Sequence, residues 1–124
     1  MQQQKQLHDL VIEAVALHFH TSPSELKDGK SKKRAEAYKR HMCFYMIRKN
    51  DSMLSREFIA ELFKNGKSTI EHGEKCVDYH KSIYRRTMGD IADIQKLIDN
   101  FNDQLKQQML QTSVWHTHNS NTTP

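Results

Sequence analysis

Two short helical runs separated by only three residues constrain this chain most. In "SREFIAELFKNGKSTIEHG", the apolar residues Phe58, Ile59, Leu62 and Phe63 recur at the spacing of one helix face. Lys64-Asn65-Gly66 then interrupts, and helical spacing resumes from Lys67. Asn-Gly marks a turn. So short a link forces the two helices into a corner of the helix-turn-helix kind. A corner alone specifies no ligand, but this second helix opens with Lys67, Ser68 and Thr69. Free backbone N–H groups and the positive end of the helix dipole meet at such a mouth, so it attracts anions. Ser68 is suited either to a phosphate or to capping its own helix.

The flanking segments are also helical. Leu7, Leu10, Val11, Ala14, Val15 and Leu17 predict an amphipathic helix to about Phe19. Ser22, Pro23 and Glu25 form the start signal of a second, short helix that Asp28-Gly29 ends. Ala35, Tyr38, Met42, Tyr45 and Met46 carry a long third helix, with Lys32, Lys33, Arg34, Lys39 and Arg40 gathered at its front. Asn50-Asp51-Ser52 breaks it, and Ser55 is placed to cap the next. Beyond Tyr84 the period continues through Met88 to Leu105, with a kink or break expected at Gly89. Ile91, Ile94, Ile98, Phe101 and Leu105 form a seam of about two heptads. That seam suits packing on the same domain or pairing in a homodimer. The expected organisation is a helix-turn-helix domain over 1–86, a C-terminal helix over 87–112 and a disordered polar tail over 113–124.

Bulk properties agree with an all-α reading. The chain has 124 residues, of which 36% are apolar, enough for one domain with a thin helical core. No apolar run approaches the ~20 residues of a membrane span, and the first residues lack a signal peptide's apolar region. A cytoplasmic location is therefore expected, with no membrane partner. Cys43 and Cys76 sit in apolar helical contexts, where free buried thiols are expected. The net charge of +4 is unevenly spread: residues 27–86 carry sixteen Lys/Arg against eight acids, a net +8. A basic centre suits either a polyanionic partner or a solvated helical surface.

The segment from Ser31 to Ile83, "SKKRAEAYKRHMCFYMIRKNDSMLSREFIAELFKNGKSTIEHGEKCVDYHKSI", resembles the C-terminal DNA-binding domain of the bacterial replication initiator DnaA, of the Trp-repressor-like superfamily. In that family Ala-Arg-Pro-Arg-Gln-Met opens a long helix, and "AYKRHM" stands there, aligning Arg40 and Met42. A short helix ending in Phe-Gly-Gly-Arg-Asp corresponds to "SREFIAELF", and "KSTIEHG" stands where His-Thr-Thr-Val-Leu-His-Ala opens the recognition helix. Ser68, Thr69, Ile70 and His72 align within it. The resemblance spans roughly 7–84. Its departures are Tyr38-Lys39 for Arg-Pro, a turn one residue shorter that lacks the Asp, and Lys67 for the base-reading His. These imply that the docking mode carries over while reading of the initiator's own box does not. The chain has no "GxxxxGK[ST]" loop, so the initiator's ATPase motif is missing.

The resemblance implies double-stranded DNA as partner and a role in replication or transcription regulation. Arg40 is then a minor-groove cation, or else a solvated one. Ser68 and Thr69 contact phosphate, with the Thr69 methyl near a thymine methyl. Lys67 pairs with guanine or, more simply, with phosphate. Lys32, Lys33, Arg34 and Lys39 clamp the backbone. Ser55 lies at the mouth of the preceding helix and joins the candidates. Glu71 and Glu74 repel phosphate, although Glu71 is able to accept from a cytosine amine. His72, Cys76 and His80 share a stripe, but three ligands along one helix do not close a tetrahedron, so no metal is expected. Neither cysteine has a base and an orienting group, no carboxylate pair stands out, and neither an enzyme nor a cofactor is expected. The alternative function is a protein-interaction module of phage or mobile-element type that keeps the fold. Single-stranded nucleic acid binding would need exposed aromatics beside the cations.

Overall fold

The computed structural model describes residues 6–28 and 33–122, with side chains described to 110. The fold is all-helical, and no strand occurs among the described residues. Among the described residues six helices follow in order: α1 Leu7–His18, α2 Pro23–Asp28, α3 Arg34–Asn50, α4 Arg56–Phe63, α5 Lys67–Lys81 and α6 Arg85–Thr122.

Local chemistry sets most boundaries. Asp9 and Gln6 form a reciprocal capping box at the start of α1. His20 ends that helix in the left-handed region, where the Thr21 N–H donates to the Ala16 carbonyl at 2.9 Å. Ser22 accepts the Glu25 N–H at 3.2 Å, and Pro23 takes the first position of α2, as the start signal predicts. Ser55 accepts the Phe58 N–H at 3.1 Å and caps α4. At the other end of that helix Lys64 is left-handed, with φ 54°, and the Asn65 N–H donates to the Ala60 carbonyl. A lysine thus occupies a backbone conformation that favours glycine.

The core lies around α3. Met42, Cys43, Phe44, Met46 and Ile47 are buried there, between α1 on one side and α5 on the other. Val11, Ile12, Val15, Leu26, Ile59, Phe63, Ile70 and Val77 complete it. Three apolar residues of the expected faces point outward: Leu17 and Met88 are exposed, and Phe58 stands at the rim with its ring edge against His8. Ile12, absent from the expected face of α1, is buried instead.

The α6 helix differs most from expectation. It runs through Gly89 without a break, and nothing lies within 4 Å of a Cβ there, so no neighbour requires glycine. It begins at Arg85, so the expected boundary near 86 falls in its first turn, and its backbone stays helical beyond 113. Ile91, Ile94 and Ile98 are buried in the domain's own core, chiefly against α1. Much of the seam is therefore used within the chain. A polar network fastens the same helix. Asp90 accepts the Tyr38 hydroxyl at 2.6 Å and sits 2.8 Å from His18 Nε2, which links α3, α1 and α6. Farther along, Asn50 and Gln95 exchange two hydrogen bonds.

At the α3–α5 crossing, Gly73 permits a close approach. A Cβ there would meet Phe44 Cδ2 at 2.6 Å and His41 Cδ2 at 2.8 Å, both on side chains confined by the crossing. Gly73→Ala should therefore destabilise by about 1–3 kcal/mol, the usual range for overpacking. Gly89→Ala should stabilise by about 1 kcal/mol, the helix-interior difference between the two residues. Urea unfolding of both variants checks the pair, and a Gly73→Ala protein as stable as wild type would contradict the tight crossing.

The same crossing makes stability depend on pH. Burial, with His72, Arg40 and His80 adding to it, pushes the His41 imidazole from its ordinary 6.5 down to about 4. The folded state thus holds this ring neutral, while the unfolded chain takes up a proton near 6.5. Between those values the unfolded state binds more protons, so this contribution is complete above about 6.5 and is lost as pH falls toward 4. Thermal midpoints at pH 7 and pH 5 should separate less in His41→Phe than in wild type; an equal separation would remove His41 as the cause.

Candidate nucleic-acid interface

The buried residues of α5 are Ile70, Gly73 and Val77, which fixes what its other side presents. Ser68, His72, Lys75 and Tyr79 follow one another at four- and three-residue steps, and all four are exposed. This outward stripe begins at the helix mouth. The N-cap there is Gly66, with no side chain to cap the first turn. Ser68 therefore does not cap α5, and Ser68 and Thr69 are both exposed there, while the Thr69 N–H donates to the Gly66 carbonyl at 3.1 Å. A mouth left uncapped by side chains keeps its capacity for an anion.

The acids near the mouth are arranged unequally. Glu74 is turned inward, only 15% exposed, and accepts from Arg56 Nε at 2.6 Å. Arg48 Nε lies 3.5 Å from the same carboxylate without a hydrogen bond, while Arg48 Nη1 donates to the Leu54 carbonyl. Glu74 therefore joins α3, α4 and α5 and does not confront a ligand on the outer stripe, contrary to the repulsion expected from its position on the helix. Glu71 is half-buried between these groups. Glu57 reaches Lys67 at 3.0 Å, but both side chains are more than half exposed. The Lys67 ammonium holds the Glu57 carboxyl below its ordinary range, and the carboxylate in turn raises Lys67. Such an exposed pair is weak and salt-screened, so a phosphate can displace Glu57.

The other candidate residues are more dispersed. Lys33 and Arg34 are exposed at the start of α3. Lys39 is half-buried and pairs with Glu36 at 3.2 Å. Arg40 is half-buried on the same helix, close enough to influence both His41 and Cys43. Ser55 uses an oxygen lone pair on its cap while its residue stays exposed. Lys32 lies outside the described residues. The structure thus brings Ser55, Lys67, Ser68, Thr69 and Glu71 to adjoining helix mouths, with Arg34, Lys39 and Arg40 along α3.

His72 and Tyr79 were not identified as surface residues from sequence. His72 is exposed, with its ring edge-on to His41 at 5.8 Å. Counting outward from Ile70 and Val77 around a helical wheel would have found both. Cys76 Sγ lies 3.3 Å from His72 Nε2, and no three metal-capable side chains converge among the described residues. Both cysteines are free; Cys43 is fully buried, which pushes its thiol far above the ordinary range, and Cys76 is half-buried. No described helix is long and apolar enough to cross a membrane.

The family described as the bacterial DnaA protein helix-turn-helix matches residues 8–77. That span is more than half of the chain and runs from α1 to the last buried residue of α5, leaving α6 outside. The matched segment contains the uncapped mouth, the outward stripe of α5 as far as Lys75 and the basic front of α3. The chain belongs to the bacterial DnaA helix-turn-helix family.

Proposed function

We propose that this chain is a small, non-enzymatic protein that binds double-stranded DNA and acts in the cytoplasm in replication or transcription regulation. The observation that carries this reading is the mouth of α5: a glycine N-cap, an exposed Lys67-Ser68-Thr69 and an outward stripe free of unshielded carboxylates at its start. Entering the major groove, that mouth places Ser68 and Thr69 against phosphate and gives Lys67 a phosphate in exchange for Glu57. The half-buried Glu71 contributes limited base readout. Arg40 serves the minor groove, while Lys33, Arg34 and Lys39 clamp the backbone. Family membership supports the DNA reading, and the inward turn of Glu74 takes away one carboxylate that would repel phosphate.

Fluorescence anisotropy with labelled duplex DNA at several salt concentrations tests it. Affinity should fall with salt, and Lys67→Ala should reduce the salt slope by about 1, as for one lost phosphate contact. Arg40→Ala should cost about 1–3 kcal/mol of binding, the range of a specific groove contact. Absence of binding at low salt, or binding indifferent to salt, would overturn the reading.

A further inference from the structure

A pocket of about 400 Å³ opens between α3, α5 and α6, lined by Phe19, Arg34, Tyr38, Lys39, His80, Tyr84 and Arg86, among others. It lies at the far end of α5 from Lys67, roughly 20 Å along the helix. Its volume falls within the about 300–1,000 Å³ typical of small-ligand sites. Two edge-on ring pairs form its walls: Phe19 with Tyr38 at 5.8 Å, and His80 with Tyr84 at 5.5 Å. The Tyr38 ring is held by its hydroxyl bond to Asp90. Three cations complete the lining, of which Lys39 is engaged by Glu36. Among the described residues neither Arg34 nor Arg86 is in an ion pair or hydrogen bond. The first turn of α6, the positive end of its dipole, borders the same space.

Flat aromatic walls favour a planar ring, and a pair of guanidiniums favours a phosphate, which their planar forks bind well. We propose that this pocket holds one nucleotide, with its base against Tyr84 and Tyr38 and its phosphate on Arg34 and Arg86. The nucleotide is either a free monophosphate or an unpaired nucleotide of bound DNA. Only the second source rests on the duplex-binding function proposed above. Exposed Tyr84 beside Arg86 supplies the stacking and charge that single-strand recognition requires.

Full-length protein should be titrated by calorimetry with adenosine monophosphate, ribose 5-phosphate and inorganic phosphate. It should also be titrated by anisotropy with a blunt duplex and with the same duplex carrying a short single-stranded overhang. Tyr84→Ala and Arg86→Ala serve as variants, both at exposed positions that leave the core intact. If the source is free nucleotide, adenosine monophosphate binds more tightly than ribose 5-phosphate, and Tyr84→Ala weakens it at least roughly fivefold, the low end for losing one stacking ring. If the source is DNA, the overhang strengthens binding and Tyr84→Ala abolishes that gain while blunt-duplex affinity is unchanged. The inference is overturned if no Tyr84-dependent gain appears with either probe, or if ribose 5-phosphate binds as well as the nucleotide. Wild-type affinity for the blunt duplex reports separately on duplex binding, so the two failures are distinguishable.

Discussion

The close crossing of α3 and α5 underlies the rest of the structure. Gly73 lets the helices approach until His41 and Phe44 occupy the space a side chain would take. One residue further, Glu74 enters the gap between Arg56 and Arg48 and joins α4 to the same crossing. With Ile70 and Val77 buried on either side, the rotation of α5 about its axis is determined. Its outward stripe follows from that rotation. A carboxylate so poorly exposed and so closely paired is costly to uncouple, since removing one partner strands the other. The corner is therefore held firmly, and a preorganised mouth loses less entropy on binding.

The same arrangement resolves the charge of the central segment. Its acids are not spread evenly over the surface: Glu74 is inside, Glu36 is beside Lys39, and Asp78 is beside Lys81. At the mouth of α5 the exposed Lys67 is paired only with Glu57, itself exposed. The α6 helix, outside the family match, makes a second use of the domain. Its apolar residues complete the core through Ile94 and Ile98, while its first turn adds Arg86 and Thr87 to an aromatic pocket that the helix-turn-helix alone would not enclose.

Much of this architecture was legible in the sequence. Ser22 and Ser55 announce their helices because a hydroxyl at an N-cap acts locally, on an amide three residues away. The α4–α5 corner is equally local. What escaped depends on neighbours distant in the chain. Leu17 is apolar yet lies outside the core, and Phe58 reaches only its rim, where His8 of α1 meets one edge of the ring. Glu74 reads as a surface acid until Arg56, eighteen positions earlier, is brought beside it. Gly89 looks like a break, but the isoleucines after it pack well enough on α1 to carry the helix through. Ser68 looks like a cap, but the turn places Gly66 at that position. The orientations of His72 and Tyr79 required the burial of Ile70 and Val77 to be known first.

The most direct test of the central claim is amide chemical-shift mapping of the ¹⁵N-labelled protein during titration with duplex DNA. If α5 presents its mouth to the duplex, the largest shifts fall on the Gly66–Glu71 amides and on the front of α3. The outer face of α6 beyond Ile98 should stay unchanged. Shifts concentrated on α6, with the Gly66–Glu71 amides unmoved, would contradict the account.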